Sequence, residues 1–215
     1  MSQKQTNLEA GNIWMIDNVF LPCECQTLIK ESESFGYDKA AFNSNINNDV
    51  RNNSRVITRS KHYADLIWDR VNMFVPKYAT ELRHNSLGKE YTKGFELLGF
   101  NETVRFYRYA VGEYFAPHTD GCIHREGTIT QQGMEFNVID QSFITLLVYL
   151  SDVQSGGETN FYNSRNELLY SVKPKAGSVL MFVHWNCHEG ATLSDPNEKK
   201  YAMRTDVLYR KIVRK

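Results

Sequence analysis

The sequence predicts an α+β protein whose larger part is an antiparallel β sandwich or jelly roll preceded by two helices. From Phe95 onward, short runs of β-branched and aromatic residues follow one another, separated by glycine, proline and asparagine turn signals. Seven or eight short strands at this spacing are typical of a sandwich or jelly roll rather than of alternating β-α units. Before these runs, apolar residues recur at the spacing of amphipathic helices.

The length of 215 residues is ordinary for one domain, and we find no internal repeat and no linker. We therefore predict a single domain over residues 1–215, with a helical N-terminal part over about 1–95 and a β core over about 96–212. Hydrophobic residues make up 41% of the chain, which supports a sizeable core.

Charge and cysteine content narrow the function classes. The chain has 25 basic and 25 acidic residues and no net charge, whereas a general nucleic-acid or membrane-surface binder is basic. No apolar run approaches the ~20 residues of a membrane span, and the first residues show no apolar signal segment. The four scattered cysteines indicate reduced thiols in the cytoplasm or nucleus. The composition gives no indication of oligomeric state.

The N-terminal part alternates between ordered and exposed segments. Ser60 is placed to cap the second helix, since serine is a favoured N-cap residue. The asparagine-rich stretch 37–55 has almost no aliphatic residues and predicts an exposed loop. The predicted elements are a strand within 12–20, a helix over 23–35, a strand over 55–58 and a helix over 61–74.

The β core follows from the remaining runs. The stretch 122–141 is polar and without a clear pattern, so we predict a long loop that is either functional or disordered. The predicted strands are 96–109, 114–118, 143–150, 159–162, 168–172, 178–183, 188–193 and 200–209.

The stretch 104–121 carries the first candidate metal ligands. His118 and Asp120 lie two residues apart at the end of a strand pattern, and residues i and i+2 of a strand share a face. Pro117 suits a strand edge or end, and Gly112 allows a turn between two short strands. An imidazole and a carboxylate at this spacing can bind one metal ion together.

A second stretch, 182–193, contributes another histidine. His188 could complete a set of two histidines and one carboxylate, which leaves positions open as in non-haem Fe(II) oxygenases. His184 is a rival four residues away. The other histidines, His62, His84 and His124, are interpreted as surface or core residues.

Five motifs of the sequence resemble, in the same order, motifs of the 2-oxoglutarate- and Fe(II)-dependent dioxygenases of the prolyl 4-hydroxylase type. They are YAVGEYFAPHTD, ITLLVYLSDVQSGGETNFY, VKPKAGSVLMF, HEGATL and KYAMRTDVLY. The similarity spans about residues 104–210. The fold of that family is a double-stranded β-helix, a jelly roll with helices packed outside.

The resemblance implies a role for five residues. His118, Asp120 and His188 match the iron ligands of the family. Tyr109, nine residues before His118, matches a tyrosine that hydrogen-bonds the distal carboxylate of 2-oxoglutarate. Thr145 matches a hydroxyl residue that lines the same pocket.

The cation that binds the distal carboxylate is ambiguous. Lys200, twelve residues beyond His188, is the best match to the family, although the segment before it is two residues longer than usual. Arg204 is the alternative, because it shares a strand face with Lys200 and a guanidinium can bind a carboxylate in bidentate fashion. We choose Lys200.

The resemblance also implies the chemistry. The cofactors are Fe(II), 2-oxoglutarate as cosubstrate and O2, with ascorbate as reductant, and the products are a hydroxylated substrate, succinate and CO2. The favoured substrate is a prolyl or other residue of a peptide or protein, with segment 49–55 and stretch 122–141 as candidate walls of its groove. The alternatives are a small-molecule oxygenase on the same fold and a non-enzymatic jelly-roll domain that binds or senses a metal.

Overall fold

In the computed structural model, residues 2–9, 12–39, 50–83 and 88–213 are described. These residues form two β-sheets. The large sheet has the strand order β1-β2-β12-β9-β14-β6-β4-β3, with β5 also paired to β14 and β8 to β9, and the small sheet has the order β11-β10-β13-β7. The strands are β1 Lys4–Glu9, β2 Ile13–Asp17, β3 Asp38–Lys39, β4 Ser54–Arg59, β5 Glu96–Phe100, β6 Thr103–Tyr109, β7 Phe115–His118, β8 His124–Gln131, β9 Met134–Tyr149, β10 Thr159–Tyr162, β11 Leu168–Val172, β12 Val179–Val183, β13 Cys187–Gly190 and β14 Lys200–Val213.

The centre of the large sheet is buried on both faces. Along β9, Leu146 and Val148 pack with the helices in one apolar cluster. Leu147 and Tyr149, which alternate with them, pack in a second cluster that includes Phe161 of the small sheet. Because alternate residues of a strand point to opposite faces, burial on both sides explains the continuous apolar run in this strand. The sequence therefore predicted the jelly roll correctly.

In the described part of the chain, three α-helices accompany the sheets: α1 Pro22–Ser34, α2 Lys61–Val71 and the short α3 Gly88–Thr92. The predicted cap is confirmed, since the Ser60 hydroxyl accepts a hydrogen bond from the backbone N–H of Tyr63. Leu28 of α1 and Ile67 of α2 are buried in the cluster on the outer face of the large sheet. Among the described residues, no helix is both long enough and apolar enough to cross a membrane.

The structure corrects several predictions in the N-terminal part. Strand β1 was not predicted, and strands β1 to β4 join the same large sheet as the later strands. The prediction of an exposed loop over 37–55 is wrong at the C-terminal end of this stretch, because Arg51 is 4% and Asn53 0% exposed. Residues 40–49 of that loop, including Asp49 of the proposed groove wall, lie outside the described residues.

Two further predictions in the β core are wrong. The single strand over 96–109 is two strands, β5 and β6, which both pair with β14. The predicted loop over 122–141 is a hairpin, in which β8 pairs with the first half of β9. Side chains of β8 are mostly exposed. The hairpin is therefore held by backbone hydrogen bonds between its two strands. Its sequence lacks the alternation of apolar and polar residues that marks a half-buried strand.

Candidate active site

The small sheet brings the two predicted histidine ligands together. His118 ends β7 and His188 lies on β13, and the two residues are direct partners in the antiparallel register. The backbone N–H of Asp120 donates to the carbonyl of His184 at 2.9 Å, which fixes the chain just after β7. One ligand atom from each of His118, Asp120 and His188 lies within 4.8 Å of the others. His184 is not part of this cluster.

The orientation of the two imidazoles suits a metal ion. Nδ1 of His118 lies 2.8 Å from the carbonyl of Ala116, and Nδ1 of His188 lies 2.9 Å from the carbonyl of Asn186. A carbonyl can only accept, so each Nδ1 carries a proton, and each Nε2 is the ring nitrogen left to bind a metal ion. Among the described residues, the buried Nε2 of His118 has no hydrogen-bond partner. The residues present therefore fit a metal ion as the missing partner.

Distances to the carboxylate agree with this interpretation. Nε2 of His118 lies 3.7 Å from Oδ1 of Asp120, and Nε2 of His188 lies 3.6 Å from its Oδ2. These separations exceed a hydrogen bond and leave room for an ion bound by all three groups. The donor set of two imidazoles and one carboxylate is the one that non-haem Fe(II) oxygenases use.

The electrostatics keep the ligands in their binding forms. Burial lowers the pKa of His188 to about 4, so its imidazole is neutral at pH 7. Burial alone would raise the pKa of Asp120, but Arg204, His188 and His118 outweigh it and hold this pKa well below its usual range. A neutral imidazole and an ionised carboxylate are therefore both available at neutral pH.

A cavity adjoins the two histidines. It contains about 430 Å³ of empty space, counting the part open to solvent. Its wall includes Tyr109, Thr145, Lys200 and Arg204, so four of the residues predicted to bind 2-oxoglutarate face one space with the histidines.

Lys200 lies buried at one side of this cavity. Its Nζ donates to the carbonyl of Gly157 at 2.7 Å and lies 5.0 Å from the centroid of the Tyr109 ring. Burial lowers the pKa of Lys200 to about 8, against the opposing effect of Glu158. Among the described residues, no ion pair of Lys200 is found. A buried cation of this kind is suited to an anionic ligand.

Arg204 is engaged differently. Its Nη1 donates to Oδ1 of Asp120 at 2.7 Å, and its Nη2 donates to Oδ1 of Asp206 at 3.1 Å. Thr145 donates its hydroxyl to Oδ2 of Asp120 at 2.5 Å and accepts a hydrogen bond from Arg204. Arg204 and Thr145 thus both contact the carboxylate of the metal-ligand set.

Sequence reasoning missed several residues of the cavity. Tyr149 and Thr159 line it and share a hydrogen bond of 2.7 Å between their hydroxyl groups. Gly190 lines it as well, and a Cβ there would lie 3.2 Å from the hydroxyl of Tyr109. The glycine directly after His188-Glu189 was a usable signal, because a glycine in a strand often marks a close approach.

The sequence comparisons agree with this site. Residues 104–205 match the model of the 2OG-Fe(II) oxygenase superfamily, whose name states its metal and its cosubstrate, 2-oxoglutarate. The chain is 32% identical over 124 residues to "Probable prolyl 4-hydroxylase 11" of Arabidopsis thaliana, which covers 54% of this chain but 38% of that protein. The chain therefore matches less than half the length of this curated relative.

Solved structures are similar over most of the chain. A viral collagen prolyl hydroxylase of Paramecium bursaria Chlorella virus-1 is similar to this chain with a TM-score of 0.59 and 19% sequence identity. The similarity covers 92% of this chain and 96% of the viral chain. A Trichoplax adhaerens prolyl hydroxylase, solved with a peptide fragment of hypoxia inducible factor, has a TM-score of 0.59 at 15% sequence identity. This similarity covers 92% of this chain and 83% of the Trichoplax adhaerens chain. These likenesses show the jelly-roll fold. Residues 104–205, which hold the His118, Asp120 and His188 cluster, thus match the model of the 2OG-Fe(II) oxygenase superfamily.

Proposed function

We propose that this protein is a 2-oxoglutarate- and Fe(II)-dependent dioxygenase that hydroxylates a C–H bond of a prolyl or other residue in a peptide or protein. The observation that carries this proposal is the cluster of His118, Asp120 and His188 at a cavity that also contains the buried Lys200. A metal site and a cation for the cosubstrate then share one space.

His118, Asp120 and His188 are the proposed ligands of iron(II). When bound, iron supplies the redox chemistry that couples oxidative decarboxylation of 2-oxoglutarate to hydroxylation of the substrate. The protein contributes orientation, because the carbonyls of Ala116 and Asn186 fix both imidazole rings with Nε2 toward the ion.

Lys200 and Tyr109 are the proposed binding groups for the distal carboxylate of 2-oxoglutarate. Lys200 offers an ammonium group inside the cavity, whereas Arg204 already donates to Asp120 and Asp206. We therefore assign Arg204, with Thr145, to holding the Asp120 carboxylate. This assignment keeps the choice of Lys200 made from the sequence.

A peptide substrate is supported by the relatives. The Trichoplax adhaerens structure contains a peptide fragment, and the Arabidopsis thaliana relative is named a probable prolyl 4-hydroxylase. We also propose a cytoplasmic or nuclear location, because all four cysteines are free and free thiols persist in reducing compartments.

The test is 2-oxoglutarate turnover followed by a peptide screen. Protein supplied with Fe(II), ascorbate and 2-oxoglutarate should release succinate, and a proline-containing peptide library should yield products heavier by one oxygen atom. His188→Ala is the matched control and should release none. Absence of succinate with the wild-type protein contradicts the enzyme proposal, whereas succinate release with oxidation of small molecules alone contradicts the peptide substrate.

A further inference from the structure

An arginine-rich surface continues from the cavity along the inner face of the large sheet. On β6, Arg105, Tyr107 and Tyr109 are spaced two residues apart and therefore lie on the same face. Both tyrosines line the cavity. On β4, Arg55 is the register partner of Tyr107. Arg105 is therefore a diagonal neighbour of Arg55, with the two residues ~7–8 Å apart. Ile57, next to Arg55 on this face, is 51% exposed, so the surface is open to solvent.

Arg51 extends this surface to the edge of the metal site. Its guanidinium carbon lies 4.0 Å from the centroid of the Phe115 ring and 5.3 Å from that of Tyr107. The Phe115 ring in turn stacks on His118 with centroids 3.6 Å apart. Arg51 also donates to the side-chain oxygen of Asn53, which is uncharged. A positive charge thus lies one aromatic ring away from a metal ligand.

Arg105 connects to the metal site on its other side. Arg105 and Arg204 are direct register partners on β6 and β14, and like charges directly opposite each other are destabilising. Asp206 compensates, since it lies 3.1 Å from each guanidinium group. An arrangement with such a local cost is characteristic of functional sites.

The charge balance of this surface is positive. Burial, together with the charges of Arg51 and Arg105, lowers the pKa of Arg55, as expected when arginines crowd one another. Asp38, the register partner of Arg55, adds a negative charge at the outer edge. Among the residues that the structure describes, the arginines on this face outnumber the aspartates by one, and bound iron(II) would add further positive charge. The four arginines are Arg51, Arg55, Arg105 and Arg204, and the three aspartates are Asp38, Asp120 and Asp206.

We propose that Arg55 and Arg105, with the positive charge of the buried Arg51 nearby, bind a carboxylate of the peptide substrate, so that the enzyme selects an aspartyl or glutamyl residue close to the hydroxylated one. The inference rests on the proposed function and specifies its substrate class. Guanidinium groups suit this role because they bind carboxylates with charge-assisted, often bidentate, hydrogen bonds. Phe115 and Tyr107 supply flat apolar surfaces against which Arg51 is held.

The probes are three short peptides that differ only in the residues on either side of a single proline, which are Asp, Asn or Lys. Binding is measured by fluorescence anisotropy with the full chain loaded with Mn(II) and 2-oxoglutarate, so that no turnover occurs. The Asp peptide should bind roughly ten-fold or more tightly than the Asn peptide, the effect of one charge-assisted hydrogen bond. The difference should shrink as salt is added.

Variants assign the preference to this surface. Arg55→Gln and Arg105→Gln should reduce the difference between Asp and Asn peptides, and Arg55→Glu should favour the Lys peptide. Arg108→Gln is the matched control, because Arg108 lies on the opposite face of β6 and pairs with Glu33, and it should leave the preference unchanged. Thermal unfolding midpoints identify variants that fail to fold.

The outcomes separate this inference from the proposed function. Equal binding of the Asp and Asn peptides, tighter binding of the Lys peptide, or no binding of any of the three overturns the inference. Succinate release by the iron-loaded protein is scored independently. An enzyme that releases succinate and oxidises peptides without regard to acidic neighbours keeps its proposed function and refutes the acidic-substrate inference alone.

Discussion

Replacing Lys200 by methionine tests the proposed binding of 2-oxoglutarate most directly. Methionine fills a similar volume without charge, so the apolar packing of the buried side chain is largely kept. Loss of one charge-assisted hydrogen bond costs about 1.5–3 kcal/mol, or roughly ten- to a hundred-fold in affinity. We expect the dissociation constant of 2-oxoglutarate to rise by that factor.

The assay is isothermal titration calorimetry of Mn(II)-loaded protein with 2-oxoglutarate. Tyr109→Phe should give a smaller rise, because it removes a neutral donor and leaves the charge of Lys200 in place. An unchanged dissociation constant in Lys200→Met, combined with a large rise in Arg204→Met, would refute the assignment and place the distal carboxylate at Arg204.

The same assay has a predicted pH dependence. Burial lowers the pKa of Lys200 to about 8, and only its ammonium form attracts a carboxylate. Affinity should therefore be constant below about pH 7 and weaken as the pH rises past 8, approaching ten-fold per pH unit. Lys200→Arg keeps its charge at these pH values, so this weakening should disappear in that variant. A wild-type affinity that does not change between pH 7 and 9 would contradict the reasoning.

Three further predictions concern the metal site and the fold. His188→Ala should abolish Mn(II) binding in calorimetry, whereas His184→Ala should retain it, since only His188 belongs to the ligand cluster. Arg204→Met leaves the buried Asp120 without its ion pair, a loss of about 3–5 kcal/mol. Its thermal midpoint should fall markedly in metal-free protein and recover in part with Mn(II), and an equal fall in both forms would contradict the pairing. Gly177→Ala should lower the urea midpoint, because Gly177 has φ +79° and a Cβ there would lie 2.1 Å from a backbone carbonyl oxygen; an unchanged midpoint would contradict this.

Local patterns in the sequence determined most strands and the candidate ligands. Strands β10 and β11 were predicted with the observed bounds, because alternation and turn residues act over a few neighbouring positions. The His-x-Asp spacing likewise predicted two side chains at one site. These two side chains do cluster with His188.

Only the tertiary structure decided which distant groups meet. Nothing in the spacing of Arg204 indicates that it pairs with Asp120, since this contact depends on the two strands reaching one cavity. The burial of Arg51 and the hairpin of β8 were missed for related reasons. A buried arginine and an exposed strand both depart from the apolar pattern that sequence reasoning uses. Their placement follows from backbone pairing and long-range packing, which local residue types do not encode.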